Sequence, residues 1–206
     1  MMRRYRARAI LATGLTVCGL TGCSIKSETA PSRFYMLRPI QEEAEPTSAA
    51  AADGPTLLLG PLEIPAYLDR PQIVTRAPGA EVKLSEFERW AEPLRDNIAR
   101  VLADNLATLV PAPRVSARRT IQPKDPDLRV AVELIRLDGS LGGNVVLDAR
   151  WSLFGEDPDR ALETDRIRIE RPTSGADYSS FVEALSLALA DFSRALAAPI
   201  RRLVPR

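Results

Sequence analysis

Two apolar stripes at helical spacing, separated by a long run of alternation, constrain this chain more than any other feature. The first passes through Leu94, Ile98, Val101, Leu102, Leu106 and Leu109, the second through Phe181, Leu185, Leu189, Phe192 and Leu196. Each set falls on one face of a helix with 3.6 residues per turn, so each helix needs a surface to cover. Pro93 suits the first turn of the first helix, where a missing N–H costs nothing, and Pro111 and Pro113 end it. Asp96 and Arg100, four residues apart on the opposite side, form a weak pair. Asp177 stands where the second helix needs an N-cap.

The surface to be covered lies between the stripes. Leu128, Val130, Val132 and Leu134 alternate with polar or small residues, as do Val145, Leu147, Ala149, Trp151 and Leu153. Asp138-Gly139 and Gly142-Gly143-Asn144 supply the turn chemistry between them. A third strand over 162–170 places Ile167 and Ile169 on one face and Arg166 and Arg168 on the other, so the sheet keeps a solvated face. Upstream, residues 33–40, 56–64, 72–76 and 81–84 read as strands; 56–64 is nearly continuous in apolar residues, as a central strand is, and Pro61 marks a bulge or bend in it. Residues 41–54 (QEEAEPTSAAAADG) have the composition of a flexible insertion. These patterns predict a single α/β domain over 33–206, with a mixed, largely antiparallel β-sheet packed by two long amphipathic helices.

The chain opens MMRRYRAR and continues AILATGLTVCGL, four arginines followed by twelve uncharged residues. A bilayer span needs about 20 apolar residues, so this pattern reads as a signal peptide over 1–22. Leu20-Thr21-Gly22-Cys23 resembles a bacterial lipobox. That resemblance implies cleavage before Cys23, a diacylglycerol thioether on its sulfur and acylation of the new amine. Ser24 in the second mature position, rather than aspartate, implies by the same resemblance the outer membrane. Residues 24–32 (SIKSETAPS) are polar and aperiodic and read, with Cys23, as a lipidated tether.

Cleavage discards Cys18, leaving Cys23 alone and excluding an intramolecular disulfide. The leader also holds four of the 28 basic residues and none of the 27 acidic ones, so the mature chain carries 24 cations against 27 anions. That balance argues against a nucleic-acid partner. Histidine is absent, which removes the commonest general base and metal ligand. With Cys23 acylated, thiol chemistry and Cys/His zinc sites are excluded too, so no metal or cofactor is expected. Asp157 and Asp159, two carboxylates in a loop, fall far short of a calcium site.

The stretch GPLEIPAYLDRPQIVTR (60–76), followed by FERWAEPLRDNIARVLADNL (87–106), resembles the ABC-type transport auxiliary lipoproteins of MCE (mammalian cell entry) systems, the group that includes paraquat-inducible protein C. The lipobox and the FYML strand after it fit the same group, whereas 41–54 and 112–127 are individual to this chain. The resemblance implies an outer-membrane-anchored, periplasmic and non-enzymatic accessory subunit. Its implied partners are an MCE-domain protein of the same system and other copies of itself in a ring. The implied role is lipid traffic between membranes and envelope integrity.

Within the matching stretch, Tyr67, Asp69, Arg70, Gln72, Arg76, Trp90 and Glu92 are the candidate partner or self-assembly contacts. Asp69 and Arg70 read equally as an exposed-turn salt bridge or as a contact patch rich in interface-favoured types. Trp90 and Glu92 beside Pro93 also read as a staple that fixes the helix start. Two other functions stay open at this point. One is a lipid carrier with its own apolar pocket; the other is a carboxylate hydrolase using Asp148 or Glu163, disfavoured because no G-x-S-x-G nucleophile motif occurs.

Overall fold

The alternating stretches become strands and the two stripes become helices in the structure, a computed structural model that describes residues 30–41, 56–110, 114–117 and 126–203. The leader, Cys23, most of the 41–54 insertion, Pro111 and Pro113 lie outside the described residues. In chain order the elements are β1 (Arg33–Tyr35), β2 (Thr56–Glu63), β3 (Gln72–Arg76), β4 (Val82–Trp90), α1 (Leu94–Leu109), β5 (Arg114–Ser116), β6 (Leu128–Gly139), β7 (Asn144–Phe154), β8 (Ala161–Pro172) and α2 (Tyr178–Leu203).

The strands divide into two sheets where one was expected. The larger has the order β5-β2-β6-β7-β8, with β2 parallel to both neighbours and the β6-β7-β8 meander antiparallel. The smaller has the order β1-β4-β3, with β1 parallel to β4 and β4 antiparallel to β3. β4 begins as predicted but continues to Trp90, because a bulge between Leu84 and Arg89 carries it on. β2 lies inside its sheet, and its register shifts between Leu59 and Leu62, around the cis Gly60-Pro61 peptide.

The helix stripes do what their spacing dictates. Phe181, Leu185, Leu189, Phe192 and Leu196 are all buried, as are Leu94, Ile98, Val101, Leu102 and Leu106, while Leu109 is half-buried. They join the inward residues of β2, β6 and β7 in one core, each large side chain contributing about 1.5–3 kcal/mol by leaving water. The Asp177 carboxylate caps α2, accepting from the Ser180 N–H at 2.9 Å and the Ser180 hydroxyl at 3.0 Å. Pro93 precedes α1 by one residue, with extended backbone, and its carbonyl accepts the Asn97 N–H at 3.0 Å. Arg100 pairs with Glu92 at 2.7 Å and with Asp104 at 3.8 Å, not with Asp96.

The segment after β1 was expected to continue as strand to residue 40, yet its strand pairing stops at Tyr35. Beyond it the backbone is held by helix side chains. The Leu37 N–H donates to Asn97 Oδ1 at 2.7 Å, the Arg38 N–H to Ser186 Oγ at 3.2 Å, and the Ile40 N–H to Asn105 Oδ1 at 2.7 Å. The Asn105 amide in turn donates to Ser193 Oγ at 2.9 Å. Asn97 and Asn105 are buried on α1, Ser186 and Ser193 on α2, so polar positions within two apolar faces satisfy a backbone that no strand reaches. Asn97→Ala removes the acceptor of a buried N–H and is expected to lower stability by about 2 kcal/mol. Urea denaturation measures this; an unchanged midpoint contradicts the role.

Candidate functional site

Residues 65–71 form a tight turn before β3. The Leu68 N–H donates to the Pro65 carbonyl at 2.9 Å, Asp69 N–H to Ala66 at 3.3 Å and Arg70 N–H to Leu68 at 2.8 Å. The Pro71 carbonyl then accepts the Trp90 N–H at 2.8 Å, tying the turn to the end of β4. Proline at 65 and 71 fixes φ on both sides of the turn, so its residues are presented with little backbone freedom.

Beneath this turn lies a buried carboxylate that belongs to β6. The ladder between β6 and β7 shifts register between Leu134 and Arg136, leaving Ile135 as the extra residue. Before the bulge Val130, Val132 and Leu134 face the helices; after it Leu137 does, opposite Leu147. The slip of one residue therefore turns Arg136 and Asp138 to the other face. There the 65–76 segment covers Asp138 completely. Tyr67 Oη donates to Asp138 Oδ2 at 2.6 Å, while Arg76 Nε and Arg136 Nε donate to Oδ1 at 2.8 and 2.6 Å.

The electrostatics follow from that geometry. Burial alone pushes the Asp138 carboxyl up, but the hydrogen bonds from Arg76, Tyr67 and Arg136 outweigh it and hold the group below the usual carboxylate range. Burial, reinforced by Asp138, pushes the Tyr67 hydroxyl up to about 12. The neighbouring Asp148 accepts both fork nitrogens of Arg166, at 2.9 and 2.8 Å, and that pairing holds it low as well. Glu163 pairs with Arg202 at 2.7 Å. The two carboxylates considered for hydrolysis are thus both engaged by arginine, and Asp148 is shifted away from the range a general acid needs.

The seven candidate contact residues separate into distinct roles. Tyr67 and Arg76 reach inward to Asp138. Trp90 is buried and belongs to the core, so the staple-like role fits its position. Glu92 is engaged by Arg100. Gln72 is half-buried, opposite Arg89 in the β3–β4 ladder. Asp69 is exposed and pairs with Arg95 at 2.8 Å, not with Arg70. Arg70 is half-buried rather than exposed, and its Nε has no hydrogen-bond partner among the described residues. That Nε is itself buried, so the unused donor lies within the turn. Cys23 lies outside the described residues. Sequence reasoning missed Asp138, taken as turn chemistry, and Arg136; the broken alternation after Leu134 was the signal for both.

Two clefts accompany these residues. One of about 160 Å3 is lined by Pro61, Glu63, Glu133, Arg150 and Trp151, among others. The other, about 380 Å3, is walled by Gly155, Glu156, Asp157, Arg160, Ala161 and Leu162. Leu162 is the one large apolar side chain in the second, so its lining does not suit an acyl chain.

A family model described as ABC-type transport auxiliary lipoprotein component matches residues 35–197, from β1 through most of α2. The chain belongs to this family. Intermembrane transport lipoprotein PqiC from Escherichia coli (strain K12) is 24% identical over 185 residues, covering 89% of this chain and 93% of that protein. PqiC from Shigella flexneri matches to the same extent. Among solved structures, one described as an uncharacterized protein has a TM-score of 0.68 at 19% identity, over 82% of this chain and 99% of that one. A protein from Xanthomonas campestris has a TM-score of 0.60 at 18% identity, over 80% and 92%. Both show the fold. This chain is therefore an auxiliary lipoprotein component of a transport system, and within that family its 60–76 segment is braced by Asp138.

The brace carries a pH signature. Asp138 has a depressed folded pKa, so its stabilisation is present above the unfolded value of about 3.9 and lost as pH falls through the folded one. Tyr67 has a raised folded pKa, so its share is present below about pH 10 and fades as pH rises towards 12. Asp138→Asn is expected to cost on the order of 3 kcal/mol at neutral pH and to flatten the acid limb of stability against pH. Chemical denaturation from neutral to acid pH tests this, and an acid limb as steep in the variant as in the wild type rules it out.

Proposed function

We propose that this auxiliary lipoprotein serves an MCE-type intermembrane lipid transport system, held at the periplasmic face of the outer membrane by acyl chains on Cys23, where it supports envelope integrity. The observation that carries this reading is the near full-length match to relatives named intermembrane transport lipoprotein, within a family model of transport auxiliary components. The lipobox at Leu20-Thr21-Gly22-Cys23 supports the anchor. No helix among the described residues is long and apolar enough to cross a membrane, so the acyl chains are the attachment this reading requires. The proposed role is non-enzymatic; Asp148 and Glu163, the two carboxylates considered for hydrolysis, are each paired with an arginine.

The MCE-domain protein is the proposed partner, with self-association into a ring as a further proposed contact. Asp69 and Arg70 are the proposed points of contact, because the turn that carries them is hydrogen-bonded along its backbone, Asp69 is exposed on it and Arg70 is of a type favoured at interfaces. Tyr67 and Arg76 act behind them by holding the turn in place, and Gln72 lies at their edge.

Cys23→Ser is expected to leave the domain folded and move it from the membrane fraction to the soluble periplasmic fraction. Retention of that variant in the outer membrane would sink the anchor. Arg70→Glu is expected to weaken binding to the MCE-domain protein, or assembly of the ring, by roughly tenfold, with the melting temperature nearly unchanged. Unaltered binding and assembly by analytical ultracentrifugation would return Arg70 to a purely local role.

A further inference from the structure

The larger sheet ends on β8, a strand of 12 residues whose ladder among the described residues is the one with β7. Glu163, Ile167 and Ile169 are half-buried, and the rest of the strand is exposed. Its odd-numbered amides face β7: one step past the strand, the Thr173 N–H still donates to the Gly143 carbonyl at 2.8 Å. The even-numbered amides therefore point out from the edge. There the Arg166 N–H meets no strand and is taken by the Asp165 carboxylate at 2.7 Å. Pro172, of the same outward parity, has no N–H to leave open. An open edge of this length is a template for another strand.

The order of side chains along the edge says which strand it fits. Asp165-Arg166-Ile167-Arg168-Ile169-Glu170-Arg171 has the same polar and apolar pattern from either end about Arg168, with the flanking charges reversed. Laid antiparallel on a second copy with Arg168 at the centre, Ile167 meets Ile169, Arg166 meets Glu170 and Asp165 meets Arg171, each pair twice. The isoleucine and Asp165–Arg171 pairs fall on the helix side of the sheet, where Arg171 reaches Asp191 of α2. The Arg166–Glu170 pair falls on the other face, where Arg166 is bonded to Asp148. Ile167 and Ile169 pack against the core but are only partly covered by it, so the same two residues of a second copy extend that cover. The one meeting of like charges is Arg168 with itself, and each Arg168 carries its own Glu170 at 2.8 Å. Sliding the copies by two residues instead sets Arg166 against Arg168 twice and leaves Asp165 against Ile169. Charge thus selects one register.

We infer that the β8 edge is a docking site for a second copy of this chain, the two strands pairing antiparallel over 165–171 about a two-fold axis at Arg168. Two 5-stranded sheets then become one continuous sheet. On pairing, the Arg166 N–H passes from Asp165 to the Glu170 carbonyl of the second copy, and Asp165 is released to meet Arg171. Such an isologous contact closes at two copies, so it is distinct from a ring contact, which repeats head to tail. It depends neither on the proposed anchor nor on the proposed transport partner.

The chain from residue 23 onward, carrying Cys23→Ser, holds no thiol and serves as the parent. Adding Arg168→Cys puts one thiol on the axis, where the facing Cα atoms of a hydrogen-bonded pair stand about 5.5 Å apart, within disulfide reach. Non-reducing electrophoresis after mild oxidation is expected to show a cross-linked dimer. Thr164→Cys is expected to stay monomeric, because its two copies stand about 26 Å apart in this register. In sedimentation equilibrium the parent is expected to dimerise, and Asp165→Arg to do so about tenfold more weakly. Asp165→Arg/Arg171→Asp is expected to recover the parent's association, since the reversed pair attracts again. A parent that stays monomeric, cross-linking at 164 as readily as at 168, or undiminished association of Asp165→Arg would overturn the inference. So would a double variant that associates no better than Asp165→Arg, because no pairing of 165 with 171 would then be at work.

Discussion

The rest of the structure depends on how a single buried carboxylate is satisfied. Asp138 projects from the outer face of the larger sheet and is wholly covered by the turn and strand that precede β4. An isolated carboxylate buried in this way is strongly unfavourable. Tyr67 and Arg76 reach it from the smaller sheet's side and Arg136 from its own strand, so the cost is offset only while the two sheets stay together. The same contact thus neutralises a charge, fixes the 65–71 turn and couples two sheets that share no backbone ladder among the described residues.

A second constraint acts at the amino-terminal side of the domain. Residues 37–40 lie against α1 and α2 with their N–H groups taken by Asn97, Ser186 and Asn105. Leu37 is buried in the common core. The chain that follows the proposed anchor is therefore built into the domain within a few residues of Arg33.

Much of this was legible in the sequence. Both helix stripes, the Asp177 cap, the bulge at Pro61 and the β6-β7-β8 meander were written in periodicity and turn chemistry, which depend on near neighbours. What escaped depends on distant ones. The division into two sheets turns on pairings such as Phe34 with Arg89, far apart in the chain, and no local pattern encodes them. Asn97 and Asn105 interrupt an apolar face, and only the arrival of residues 37–40 explains them. Asp138 sat beside Gly139 and looked like a turn, because the bulge at Ile135 that reverses its direction shows in the sequence merely as lost alternation. The candidate contacts over 67–76 lie along one turn and strand, and their side chains split by direction. Tyr67 and Arg76 brace it from within, whereas Asp69 and Arg70 sit at its turn.

These observations describe a family member whose most recognisable stretch is built first to hold its own turn rigid, and second to present that turn. Transport accessory work fits a segment braced in this way. The most direct measurement is affinity purification of the acylated full chain from detergent-solubilised membranes, with identification of the co-purifying proteins by mass spectrometry. An MCE-domain protein should be recovered with the wild type in reproducible stoichiometry. Recovery of the intact, acylated lipoprotein without any MCE-domain protein, at yields where a partner would be seen, would contradict the account.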